Sequence, residues 1–161
     1  NAKGTFFCVG GKIQNSPKVV QKIMLANHLV ANHTYDHENG WSMDTFKYLD
    51  SVDRCGQQLD TLGIRNKLFR PPYGKLKWSQ NRGLINRNYK VVFWSHLTGD
   101  FDPNLDITKS LRILKSSDSG SILVFHDTQK AFKNLKLLLP EILKHFSGLN
   151  YSFKTLSDYA H

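Results

Sequence analysis

Leu29-Val30-Ala31-Asn32-His33-Thr34-Tyr35-Asp36-His37 is the stretch on which the reading of this chain turns. Its first four residues form a short apolar run, the length of a buried strand and too short for a helix. Polar residues follow at once and carry two imidazoles four positions apart. If that segment turns helically, His33 and His37 reach one metal ion. Two surface histidines in a polar loop are the other reading, and the spacing alone leaves both open.

The same alternation continues outward from this point. Residues 5–9, 29–32, 67–70, 90–96, 121–125 and 151–153 read as strands; residues 17–27, 43–62, 78–88, 107–116 and 135–146 read as amphipathic helices. Ser16 before Pro17 suits a helix start, with the hydroxyl as cap and proline in the first turn. Pro140, inside the last helix, is expected to kink or split it. Strands alternating with helices predict an α/β fold with a mainly parallel sheet, either open and doubly wound or closed into a barrel. In both forms functional residues gather at the carboxyl ends of the strands. Val9-Gly10-Gly11-Lys12 lacks the spacing of a phosphate-binding loop.

Composition bounds the rest. The chain has 161 residues, 40% of them hydrophobic, which suits a single domain spanning 1–161. No apolar stretch approaches the roughly 18 residues of a membrane span, and no signal peptide is visible. Asn1-Ala2-Lys3-Gly4-Thr5-Phe6-Phe7 reads as a join into a strand within a domain. The net charge is +9, which favours anionic partners such as nucleic acid or acidic glycans. The basic residues are spread along the chain without a recognised nucleic-acid motif, so a solvated basic surface is expected and nucleic acid is not. Cys8 and Cys55 form neither a CxxC pair nor a zinc-finger spacing.

Three further strand ends carry chemistry. Arg70-Pro71-Pro72-Tyr73-Gly74 fixes a non-helical backbone course that suits a rigid N–H aimed at a developing oxyanion, and Arg70 is able to orient a carboxylate. His126-Asp127 closes the strongest apolar run, where a histidine is placed for general acid work. Asp100 and Asp102 follow residues 90–96. Of the aromatics, Tyr73 and Trp41 are singled out as sugar-facing; most of the others are expected in the core.

Taken in order, Thr5-Phe6-Phe7, Asn32-His33-Thr34-Tyr35-Asp36-His37, Arg70-Pro71-Pro72-Tyr73-Gly74 and Phe125-His126-Asp127 resemble the polysaccharide deacetylases, carbohydrate esterase family 4, which include chitin and peptidoglycan deacetylases. The resemblance implies a distorted (β/α) barrel and hydrolysis of N- or O-acetyl groups on a glycan. It implies a divalent metal, zinc by expectation, on His33 and His37, and Arg70 orienting the catalytic-base carboxylate. It further implies Tyr73 supplying an oxyanion N–H, His126 as general acid, and a secreted or cell-envelope setting. Asp100 matches the carboxylate of the family's fourth motif, where it is expected to contact Arg70.

The chain departs from the family in two places. The first-strand motif Thr-Phe-Asp-Asp-Gly, which supplies the base and a third metal ligand, occurs nowhere in these residues. The barrel is therefore expected without its first strand here, with weak metal binding and essentially no turnover by this chain alone. Phe101 replaces the family's Trp in the fourth motif. A catalytically inactive glycan-binding relative is the alternative function.

Overall fold

The structure, a computed structural model, describes residues 2–157. They fall into two compact units, Lys3–Phe93 with the tail from Lys154, and Trp94–Phe153. The first unit runs β1 (Thr5–Cys8), α1 (Gly10–Asn15), α2 (Pro17–Leu25), β2 (Leu29–Asn32), α3 (Thr45–Thr61), β3 (Leu68–Phe69), α4 (Trp78–Ile85) and β4 (Lys90–Val91). Its four strands form one sheet in the order β1-β2-β3-β4, each parallel to the next. Strands thus alternate with helices as predicted, and the carboxyl ends of all four lie along one edge.

Two apolar clusters hold this unit. Ile13, Val20, Val30, Cys55, Leu59 and Ile64 form one; Tyr48, Leu49, Val52, Phe69, Leu84 and Tyr89 form the other. Burying each large apolar side chain contributes ~1.5–3 kcal/mol. α3 contributes to both clusters, and it begins where Asp44 accepts hydrogen bonds from the backbone N–H groups of Phe46 and Lys47. Burial pushes the Cys55 thiol up to about 11, which keeps it neutral and unreactive.

The second unit runs β5 (His96–Leu97), α5 (Ile107–Lys115), β6 (Leu123–Val124) and α6 (Phe132–Gly148), with β5 and β6 parallel. Leu114 from α5 packs on Ile142 and Phe146 from α6.

Several expectations are corrected. Residues 90–96 are not one strand: Lys90–Val91 pairs with β3, and His96–Leu97 pairs with β6. Residues 151–153 form no strand; Tyr151 packs its ring on Phe146 instead, with centroids 5.2 Å apart. The glycine-led segment Gly10–Asn15 is helical, an element its composition did not suggest. Ser16 precedes Pro17 but makes no side-chain cap bond. α6 continues through Pro140 as one helix, since a proline there removes one N–H without emptying the apolar face that buries Leu138 and Ile142.

Candidate active site

β2 and β3 are neighbours, and each ends in one of the motifs. Asn32 at the end of β2 aligns with Phe69, and its carbonyl accepts from Arg70 N–H at 3.1 Å. The His33–His37 loop and the Arg70–Gly74 loop therefore leave the sheet side by side. Buried Asn32 locks both: its Nδ2 donates to Val52 O and Tyr89 Oη, and its Oδ1 accepts from Thr34 N–H. Three non-glycine residues at this edge are left-handed: Thr34 (φ 61°), His37 (φ 61°) and Tyr73 (φ 59°). Such backbone costs ~1–3 kcal/mol each and persists where the surroundings over-determine it. Here Gly10 and Gly11 N–H groups donate to the carbonyls of Thr34 and Tyr35, and Ser51 Oγ accepts from Tyr35 N–H.

The rings of His33 and His37 meet edge to face with centroids 5.0 Å apart, and His37 meets Tyr73 at 4.7 Å. His33 Nδ1 lies 2.6 Å from Arg70 O. A nitrogen facing a carbonyl carries the proton, so the lone pair of His33 sits on Nε2. That is the tautomer a divalent cation requires, and the two histidines fit a metal as neighbouring ligands.

No group of three His, Cys, Asp or Glu able to hold a metal exists among the described residues. The carboxylates in the loop are engaged elsewhere. Asp36 lies 3.8 Å from Arg54 on the surface. Glu38 is acted on by burial, which raises its pKa, but hydrogen bonds from Ser51, Thr34 and the backbone of residues 38 and 36 outweigh it and hold the group below its ordinary value.

Arg70 is buried, and desolvation lowers it to about 10, still a cation at neutral pH. Its guanidinium lies 4.1 Å from the Phe7 ring, with Nε donating to Val92 O and Nη2 to Phe93 O. Tyr73 and Trp41 are 63% and 62% exposed.

In the second unit, His126 follows β6 and Asp100 follows β5. Asp100 is fully buried and gives both oxygens to His126: Oδ2 accepts from His126 N–H and Oδ1 faces Nδ1, each at 2.7 Å. Nδ1 is thereby the protonated nitrogen, and Nε2 is left for proton exchange. Asp127 is exposed. Asn134, which the sequence did not bring to notice, is buried and donates to the carbonyls of Asp100 and Asp102 at 3.0 and 2.7 Å, holding that loop. Phe101, in place of the family's Trp, packs edge-on to His126 at 5.2 Å.

Gly40 supports the first-unit site at short range. A Cβ there would lie 2.3 Å from Lys75 O, and its carbonyl accepts from buried Gln80 Nε2. Gly40→Ala is expected to cost ~1–3 kcal/mol by overpacking, read as a lower urea midpoint at unchanged slope.

A model of the polysaccharide deacetylase family matches residues 1–92. A peptidoglycan-N-acetylglucosamine deacetylase of Bacillus cereus is 31% identical over 129 residues, covering 80% of this chain and 47% of that protein. The chain spans about half the length of the first curated relatives it matches. Among solved structures, a family 4 carbohydrate esterase from Streptomyces lividans superposes with a TM-score of 0.84 at 22% identity, over 97% of this chain and 80% of that one. A family 4 pseudoenzyme from Bacillus anthracis superposes at 0.82 with 18% identity, over 99% and 56%. At such identities these likenesses speak for the fold, and the match to the family model carries membership: this chain belongs to the polysaccharide deacetylase family.

Proposed function

We propose that the chain belongs to a metal-dependent deacetylase that hydrolyses the N-acetyl group of an amino-sugar polysaccharide, with peptidoglycan ahead of chitin or an O-acetylated glycan. The observation that carries this is the His33–His37–Tyr73 cluster at adjoining strand ends, with His33 held in its metal-ready tautomer. Peptidoglycan comes first because the relative at 31% identity is named for it.

His33 and His37 would hold the ion, zinc for this donor set; when bound, it supplies Lewis-acid polarisation of the acetyl carbonyl and a more acidic water. The protein's residues do the remainder. Tyr73, its backbone fixed left-handed, presents its N–H to the oxyanion. Water oxygen bonds to the acyl carbon, the C–N bond breaks, and the departing amine takes a proton from a general acid, a role that the family resemblance gives to His126. Asp100 keeps the imidazole oriented and in one tautomer. Arg70 orients the carboxylate that takes the proton from water, a residue not found in these 161 positions.

A second reading, a glycan-binding relative without hydrolysis, is favoured by one observation: the histidine pair has no third ligand among the described residues. Acetate release from N-acetylated glycan strands with zinc present tests the first reading. The expected result is zinc-dependent release that His33→Ala removes together with zinc binding. Release indifferent to zinc, or unchanged zinc affinity in His33→Ala, would refute the site.

A further inference from the structure

The surface beyond Tyr73 is unusual in what it exposes. Phe46 is 80% and Trp78 is 72% solvent-exposed, alongside Trp41 at 62%. Large aromatics rarely stand clear of the core without a ligand to meet. They are also held together. Thr45 Oγ1 and Ser79 Oγ, each the sequence neighbour of one of these rings, are 2.7 Å apart. Gln80 Nε2 donates to Gly40 O at 2.8 Å, and Lys77 Nζ to Met43 O at 2.6 Å. The start of α3, the turn Gly40–Ser42 and the start of α4 are thus pinned into one rigid surface. It continues through Lys75 and the turn Pro72–Gly74 to Tyr73, whose ring meets His37 at 4.7 Å.

Two cations lie against the exposed indoles of this surface. Lys75 Nζ lies 5.2 Å from the Trp41 ring centroid, and the Arg82 guanidinium 5.3 Å from that of Trp78. Between Asp60 and Asp100 the chain carries eight lysines and arginines and no acid. Two exposed carboxylates lie beside them on α3, Asp44 as the cap of its first turn and Asp50 one turn after Phe46. Exposed indole faces match the apolar faces of pyranose rings, and cations beside them match carboxylates set along a glycan.

We propose that Trp41, Phe46 and Trp78, with Lys75 and Arg82, form a platform for several sugar units of a carboxylate-bearing polysaccharide strand leading away from the acetyl site. This rests on the deacetylase reading for the direction of the strand, but its test is a binding measurement in EDTA, where hydrolysis plays no part. The 161-residue chain is titrated by tryptophan fluorescence with soluble strands of alternating N-acetylglucosamine and N-acetylmuramic acid, their lactyl carboxylates free, and with chitohexaose as the neutral counterpart. The carboxylated strands bind more tightly, and added salt narrows the difference. Trp78→Ala weakens the carboxylated strands about tenfold; Trp78→Phe recovers most of that. Arg82→Gln weakens the carboxylated strands and leaves chitohexaose within twofold. Equal affinity for the two glycans, or Trp78→Ala within twofold of the parent, overturns the proposal. So does a change of oligomeric state in Trp78→Ala without a change in glycan affinity, which would assign the patch to a second copy of the chain.

Discussion

Joined behind a strand carrying Thr-Phe-Asp-Asp-Gly, the 161-residue chain will release acetate from N-acetylated oligosaccharides at least ~10²-fold faster than the same residues alone, at equal zinc. Two contributions are combined in that ratio. A carboxylate positioned as general base is commonly worth ~10²–10⁴-fold. A third, anionic ligand also completes the set that a catalytic zinc requires, and the described residues offer the histidine pair without one. The carboxylates nearest in sequence are not substitutes, because Asp36 faces Arg54 and Glu38 is tied to Ser51 and Thr34. Zinc titration of both proteins should follow the same order as turnover. Comparable turnover by the bare chain would assign the base to a carboxylate it already contains, Asp36 or Asp102, and would overturn the role given to the upstream motif.

Asp100→Ala, measured in the active form, is expected to lower turnover by ~10²–10⁴-fold and to cost ~1–3 kcal/mol of stability. Asp100 is fully buried, and its oxygens satisfy both His126 N–H and His126 Nδ1. Without them, His126 loses the group that sets its tautomer and orientation. Asp100→Asn separates the two losses. Its amide oxygen still accepts from His126 N–H, but its NH₂ meets Nδ1 and turns that nitrogen into an acceptor. Stability should largely return while turnover does not. Full activity in Asp100→Asn, with an unchanged pH profile of kcat, would remove Asp100 from the acid's support.

What the sequence reveals about the site is what sits at strand ends. Residues 29–32 and the motifs after residues 32 and 70 are legible because each pairs a short apolar run with the polar residues that follow it. The partner of Asp100 is less legible. Its oxygens accept from His126 N–H and face His126 Nδ1, a pairing that no motif or spacing announces. Such pairings depend on how β5 meets β6, which no local pattern encodes. Residues 90–96 read as one strand because nothing in that apolar run marks where pairing passes from β3 to β6. α1 was hidden by its two leading glycines, whose poor helix propensity is overridden when Gly10 and Gly11 donate to Thr34 and Tyr35 carbonyls. Nothing in the sequence sets Trp78 apart from the aromatics of the core; its exposure does.

The left-handed backbone at Thr34, His37 and Tyr73 sets heat resistance against chemistry. Asparagine or glycine at these positions relieves strain of ~1–3 kcal/mol per residue, so a laboratory selection for survival at high temperature would enrich them. Glycine at 37 removes an imidazole proposed to hold the metal, and glycine at 34 removes the hydroxyl that accepts from Glu38 N–H. A selection for acetate release would purge the same substitutions. Lineages evolved under the two pressures should therefore diverge first at positions 34 and 37, and the most thermostable descendants should be the least able to process a glycan.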